Sequence, residues 1–459
     1  MPGLDRERIV ALDKRRVWHP YTSMDEYAAR VDPIVVVRAE GARLFDADGR
    51  SYLDANSSWW VASLGHNHPR LVAALERQAR ENCHSALAGM THAPAAELAE
   101  ALCSVAPRRA SPPGHQAGPA DHRPGLERVF FSDDGSTAVE VALKLAIQYW
   151  AQNGRPSRTR FVAPDGDFHG ETIGATALGG VELFRRPFAG VLAECFHVPS
   201  PGDPAVSLET AIAALSDLLH RESDTISCVV VEPIVQGAAG MWMHDPAYLS
   251  AAREACDRHD VLLVADEVFS GYGRSGPMWA CQHAGVVPDL LCTAKGFSGG
   301  MLPMAATLAT ERVFAGFLGG RERAFYYGHS FCGNPLGAAV ALEVLRVYEE
   351  ERVLERARPK AARIADAFSK LGALPGVART RALGMIGALD LAGDAGYLAD
   401  AGWRVYEEAR RRGAVLRPLG NVIYVAPPLN IDDAELDALL AIVSESVAAV
   451  LGAGARGPA

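Results

Sequence analysis

Two functional groups stand out by their place in the pattern. The apolar run Leu262–Ala265 has the length of a buried strand and ends in the carboxylates Asp266 and Glu267. A second short run, Leu290–Thr293, stops just before Lys295, which lies 29 residues beyond Asp266. Open α/β sheets bind ligands outside the carboxyl ends of their strands. Two neighbouring strand ends would therefore bring an acid and an amine to one crevice. A lysine amine there can condense with an aldehyde. A carboxylate beside a pyridine nitrogen keeps that nitrogen protonated and makes the ring a stronger electron sink. Once released, the same lysine is placed to move a proton at a substrate carbon. Lys295 alone would read as a surface lysine; the Asp-Glu strand end upstream and Gly296 beside it carry the reading.

Two further segments suit an anion. Residues 128–150 run from an apolar stretch through a polar turn into a helix, with Val139, Leu143, Ala146, Ile147 and Trp150 at helical spacing. Thr137 and Glu140 fit a capping box. The free N–H groups of Gly135 and Ser136, together with the helix dipole, would make a phosphate site. An ordinary strand–turn–helix connection explains the segment equally well. The stretch from Tyr326 through Gly328, His329 and Ser330 to Pro335 also sets a hydroxyl before a helix; on its own it is uninformative.

These groups need a scaffold. The first 60 or so residues read as an extended arm with small strands, where Ile34–Val37, Arg43–Phe45 and the turn-rich 46–50 suit a hairpin. Residues 69–106 are helical by period. Residues 107–125 (PRRASPPGHQAGPADHRPG) are rich in Pro and Gly and form a loop insertion, with His115 and His122 as surface residues rather than a metal tract. From 128 to about 330, short apolar runs (Arg128–Phe131, Arg160–Ala163, Cys228–Val235, Val261–Ala265, Leu290–Thr293, Met304–Thr310) alternate with helical or turn segments. Such alternation gives a mostly parallel sheet with helices on both faces. Helical stretches Leu336–Glu350 and Arg352–Leu371 lead to an α+β region with strands Met385–Leu391 and Val422–Val425, and the tail GAGARGPA frays. The expected division is 1–65 as arm and strands joining a small domain, 66–335 as a large domain, and 336–459 as a small α+β domain.

Bulk properties exclude other classes. The 459 residues are 49% hydrophobic and 22% charged, ordinary for a folded chain. A net charge of −10 argues against a nucleic-acid binder. None of the eight cysteines forms a C-x-x-C pair or a Cys/His cluster with zinc spacing, so buried thiols in a reducing compartment and no metal are expected. The N-terminus is charged and carries no signal-peptide core, and no stretch of about 18 apolar residues exists to span a membrane. A cytoplasmic protein is expected.

Taken together the motifs resemble a class III, fold-type I pyridoxal 5′-phosphate (PLP) aminotransferase. The series Asp266-Glu267-Val268, Gly271-x-Gly273-Arg274-x-Gly276, Pro288-Asp289 and Lys295-Gly296 is specific, and the resemblance covers nearly the whole chain. It implies an α/β fold with a large PLP-binding domain and a smaller α+β domain. It implies that Lys295 carries the cofactor as a Schiff base and that Asp266 pairs with its ring nitrogen. Gly135 and Ser136 match the phosphate-binding turn, and Ser330 matches a hydroxyl that reaches the phosphate from a neighbouring subunit, so a homodimer with composite sites is implied. Trp18–Met24, Ser57–Trp60, Gly65–Pro69, Leu416–Gly420 and Ile423-Tyr424 are similar to the branch that aminates 8-amino-7-oxononanoate in biotin synthesis. That branch implies Tyr21, Trp59 and Trp60 as an aromatic wall, Arg417 as a carboxylate clamp, and Gly328, Tyr424, Phe168 and Lys295 at the substrate. The donor it implies is S-adenosylmethionine. Three departures bear on this. Phe168-His169-Gly170 stands where the family has Tyr-His-Gly, His329-Ser330 replaces a Pro-Thr pair, and Val-Phe follows Glu267 instead of a small residue and Thr. The His-Ser pair resembles relatives that take the amino group from lysine. A different class III transaminase acting on ω-amino acids, ornithine or diamines, an aminomutase on the same fold, and a non-enzymatic scaffold that kept the fold are the alternatives, the last disfavoured because Lys295 and Asp266 both remain.

Overall fold

The computed structural model describes residues 5–108, 125–393 and 396–454. The central sheet follows from runs that are apolar on both faces. Its strands are introduced after an N-terminal meander of Val36–Glu40 (β1), Arg43–Asp46 (β2) and Ser51–Asp54 (β3), to which Ala414–Val415 adds a parallel edge. They are Leu126–Ser132 (β4), Arg160–Pro164 (β5), Cys195–Val198 (β6), Ile226–Val231 (β7), Leu262–Asp266 (β8), Leu290–Thr293 (β9) and Ala305–Thr310 (β10). Their order across the sheet is β4-β10-β9-β8-β7-β5-β6, and only β10 runs against the rest.

Alternation along each strand sorts the core into two layers. Val230, Val264, Leu290 and Cys292 face the helix Gly135–Gln152, packing with Val139, Leu143, Ala146 and Trp150. Val229, Leu263 and Leu291 face the opposite layer, where helices Leu208–Glu222 and Pro246–His259 contribute Leu215, Leu219, Leu249 and Ala252. Strands buried on both faces need helices on both faces, which is the parallel-sheet rule. A separate antiparallel sheet of Val377–Leu383 (β11), Ile386–Leu391 (β12) and Val422–Val425 (β13) follows the helices Pro335–Glu350 and Val353–Leu371.

Several expectations need correction. Helices Arg6–Arg16 and Met24–Arg30 precede the meander, where an extended arm was expected. The first has no buried residue, so no apolar stripe announces it; Asp5 caps it by accepting from the Arg8 N–H at 2.9 Å. The turn at 46–50 joins β2 to β3, while Gly41-Ala42 turns β1 into β2, so the hairpin is a three-stranded meander. Residues 69–106 form two helices, Pro69–Glu81 and Ala93–Val105. The run Cys228–Val235 ends as a strand at Val231, before Glu232-Pro233. Of the loop insertion, residues 109–124 lie outside the described residues, as do the last five of the tail; residues 452–454 finish the helix Asp433–Gly454.

Candidate active site

The strand ends meet as their spacing requires. Asp266 is the last residue of β8 and pairs in register with Cys292 of β9, three positions before Lys295. Both side chains line a cavity of about 460 Å³ at the carboxyl end of the sheet. Lys295 opens a short turn with φ +48°, a left-handed conformation that is uncommon for a residue bearing a Cβ. Its Nζ lies 4.6 Å from the centre of the Trp60 ring and 5.8 Å from that of Phe269. Burial lowers the lysine pKa, against the opposing pull of Asp266 and Glu232. A lowered pKa favours the neutral amine, the form that attacks a carbonyl.

Asp266 is embedded in a buried charge network. Its Oδ2 lies 2.7 Å from His169 Nδ1, and its Oδ1 accepts from the Val268 N–H at 3.0 Å. His169 Nε2 sits 3.4 Å from Asp167 and, though buried, makes no aligned hydrogen bond. Burial works against the imidazolium, but the neighbouring carboxylates of Asp167 and Asp266 outweigh it and push His169 up to about 10. Glu232 accepts from the N–H groups of Phe168 at 2.7 Å and Gly237 at 2.8 Å. Burial, then the charge of Asp167, raises its carboxyl to about 8. The raised His169 therefore sets a cation against Asp266, the carboxylate placed to face a ring nitrogen.

The turn expected to receive a phosphate has a different cap. Asp134, not Thr137, is the N-cap of the helix Gly135–Gln152, and Thr137 completes the box. Glu140 instead accepts from the Gly174 and Ala175 N–H groups, at 2.8 and 3.2 Å. As the first helical positions, Gly135 and Ser136 have N–H groups without an i−4 partner. A Cβ on Gly135 would meet Val268 Cγ1 at 2.7 Å, and one on Gly170 (φ +126°) would collide with Ser136 Oγ. Ser136 Oγ accepts from the Glu171 N–H at 3.1 Å.

The aromatic wall is built on strained backbone. Ser57, Ser58, Trp59 and Trp60 all have φ between +45° and +74°. Each such residue costs about 1–2 kcal/mol, so the surroundings must hold it. They do so through C-terminal partners: Ser57 Oγ donates to Ala426 O at 2.7 Å, the Trp60 indole N–H to Tyr424 Oη at 3.1 Å, and Asn56 Nδ2 to Tyr424 O at 3.2 Å. Asn56 Oδ1 also accepts the Arg417 N–H at 2.7 Å. The Arg417 guanidinium stacks 4.1 Å above Trp59, and among the described residues no carboxylate forms an ion pair with it. Tyr21 lies 5.4 Å from Trp59 and donates its hydroxyl to Glu171.

Tyr21, Trp59, Trp60, Gly135, Ser136, Phe168, His169, Asp266, Lys295, Arg417 and Tyr424 thus share one cavity. Gly328, His329 and Ser330 do not line it, and Gly328 and Ser330 are exposed. Sequence reasoning missed Glu171, Phe184, Glu232, Phe269 and Tyr397, which also line it. Glu171 follows His169 by two residues and Glu232 comes directly after a buried strand, so both carried a positional signal. Phe184 and Tyr397 come from segments without periodicity, and only the fold brings their rings within 5.0 Å of each other.

A nucleophilic amine and an acid on adjacent strand ends, facing a helix N-terminus, define an α/β transferase that works through an aldehyde cofactor. The class-III aminotransferase family model matches residues 26–447, and the chain belongs to that family. Among its relatives is the adenosylmethionine-8-amino-7-oxononanoate aminotransferase of Nitratidesulfovibrio vulgaris, 41% identical over 98% of this chain and 83% of that protein. The crystal structure of the enzyme of the same name from Methanocaldococcus jannaschii superposes with a TM-score of 0.89 at 34% identity, covering 96% of this chain and 99% of that one. An amine transaminase from an uncultivated Pseudomonas species, solved in its PLP-bound form, gives 0.86 at 32% identity over 95% and 99%. The cofactor of the family is PLP. The residues present fit it: a glycine whose Cβ would foul the cradle, a buried carboxylate kept beside a cation, and a desolvated amine.

Proposed function

We propose that this chain transaminates 8-amino-7-oxononanoate to 7,8-diaminononanoate in biotin synthesis, with S-adenosylmethionine as amino donor. The same acceptor with lysine as donor is the alternative. The observation that carries the reading is Arg417: a guanidinium without a carboxylate partner, stacked on Trp59 in the cavity that holds Lys295. An acceptor with an aliphatic chain between a ketone and a carboxylate matches that layout, since a planar fork suits a carboxylate and aromatic faces suit the chain.

In this reading, Lys295 would hold the cofactor through its buried amine, and the same amine, once free, would move a proton at the substrate carbon. Asp266, oriented by His169, would face the ring nitrogen and favour its protonated form. PLP supplies the electron sink that makes the substrate C–H bond acidic. Gly135 and Ser136 receive the phosphate, and Phe168 and His169 line the cofactor. Tyr21, Trp59, Trp60 and Tyr424 exclude water from the aliphatic chain. Gly328, His329 and Ser330, absent from their own cavity, act at the cofactor of a second copy, so the working unit is a cytoplasmic homodimer. In the same reading residues 66–335 form the cofactor-binding body, with 1–65 and 336–459 completing the substrate side.

The test is a pair of half-reactions on the PLP-loaded enzyme, followed by visible absorbance. Loss of the cofactor band with S-adenosylmethionine, restored by 8-amino-7-oxononanoate, is the expected result. Loss with lysine alone, with the same restoration, selects the lysine donor. Failure of 8-amino-7-oxononanoate to restore the band after any donor refutes the acceptor.

A further inference from the structure

His329 stands where the sequence departs from a Pro-Thr pair, and the fold gives its ring two partners. Nε2 lies 2.9 Å from the Tyr327 hydroxyl, and Nδ1 lies 3.1 Å from Asp133 Oδ2. The second contact is a close approach rather than an aligned hydrogen bond, since Nδ1 finds no well-directed partner. Around the ring the backbone is tied as well: the His329 N–H donates to Cys332 Sγ at 3.1 Å, and the Cys332 N–H donates to the His329 carbonyl at 3.2 Å.

Both partners are fixed to the scaffold. Tyr327 packs against the buried layer around the helix Gly135–Gln152, with its ring 5.5 Å from Phe325 and 6.3 Å from Phe130, and Lys144 Nζ lies 4.7 Å from its centre. Asp133 sits in the turn between β4 and that helix, two residues before Gly135, where its N–H donates to Thr137 Oγ at 3.2 Å. The turn that would receive one phosphate is thus joined through Asp133 and His329 to the neighbouring, exposed Ser330.

We propose that His329 is a positioning residue: held between Tyr327 and Asp133, it fixes the 328–330 turn so that the Ser330 hydroxyl is presented to the phosphate of the cofactor in a second copy of the chain. This rests on the second-copy role proposed above. Proline would stiffen such a turn through its ring, which locks φ; histidine has no such lock, and here the stiffness comes from side-chain contacts made on both sides of the imidazole. The two solutions are chemically different and should be interchangeable.

The experiment measures the PLP dissociation constant by equilibrium dialysis, with sedimentation to give the assembly state. The proteins are the wild type, Ser330→Ala, His329→Ala, the double variant, and the His329→Pro/Ser330→Thr pair. His329→Ala should weaken PLP binding about tenfold, the scale of one lost polar contact at a phosphate. Because His329 acts through Ser330, the double variant should bind no worse than Ser330→Ala, and the Pro-Thr pair should restore wild-type affinity. Full additivity of the two single losses would overturn the proposal, because a merely structural histidine would act whether or not the hydroxyl is present. So would wild-type affinity in His329→Ala when Ser330→Ala binds weakly. A monomeric wild type, or a Ser330→Ala variant that binds PLP normally, would instead sink the second-copy reading itself.

Discussion

Replacing Arg417 with methionine should separate the two substrates of the reaction. Methionine keeps an apolar stem over Trp59, which the guanidinium now covers at 4.1 Å, so the wall stays packed while the planar fork is lost. The backbone should not move, because the Arg417 N–H is held by Asn56 Oδ1 at 2.7 Å whatever the side chain. Hydrogen bonds to charged groups contribute about 1.5–3 kcal/mol, and the site is half-buried, so screening is partial. At about 1.4 kcal/mol per tenfold, kcat/KM for 8-amino-7-oxononanoate should fall about 10- to 100-fold. If the loss lies in binding shared by the ground and transition states, it appears in KM, with kcat little changed. A ping-pong reaction lets each substrate be measured alone, and the donor kcat/KM should stay within about twofold. Arg417→Lys should fall between, since it keeps the charge without the fork. Equal losses for donor and acceptor would show that Arg417 does not distinguish them and would refute an acceptor-specific role. An acceptor loss below about threefold would refute it as well.

Two further perturbations address the cofactor face. His169, raised to about 10 by its carboxylates despite burial, contributes stability that is fully present below its unfolded value of 6.5 and is lost as pH rises through about 10. The cofactor-free protein should therefore lose stability across that window, and Asp266→Asn, which removes one carboxylate, should make the decline shallower; urea unfolding from pH 7 to 10 measures the slope in both proteins, and identical slopes would count against the network. Phe168→Tyr adds a hydroxyl to a ring that meets Phe184 edge-on at 5.9 Å inside the cavity. The ratio of half-reaction rates with S-adenosylmethionine and lysine should change several-fold, and an unchanged ratio would remove residue 168 from donor choice.

The chemistry of the strand ends was legible because it rests on local patterns. A buried run that stops at Asp266 and another that stops before Lys295 need only the parallel-sheet rule to become neighbours, and β8 pairs with β9 in the register that does so. The helix Gly135–Gln152 was legible for the same reason, yet its cap was assigned to the wrong residues. Thr137 and Glu140 satisfied the local motif, but Glu140 is drawn to the N–H groups of Gly174 and Ala175, 34 and 35 residues away in the chain. Helix Arg6–Arg16 had no stripe to read, because nothing on it is buried.

The aromatic wall shows where local reading fails on physical grounds. No propensity scale places four consecutive left-handed residues at Ser57–Trp60, two of them tryptophans. That backbone persists because Tyr424, Ala426 and the Arg417 segment, more than 350 residues later, supply its hydrogen bonds. The same contacts that hold the strain also set Arg417 over Trp59 and Trp60 beneath Lys295. The proposed carboxylate clamp and the reactive amine are therefore placed by one interlock between the two ends of the chain. A substitution that loosens Asn56 should disturb both, which neither local segment would reveal.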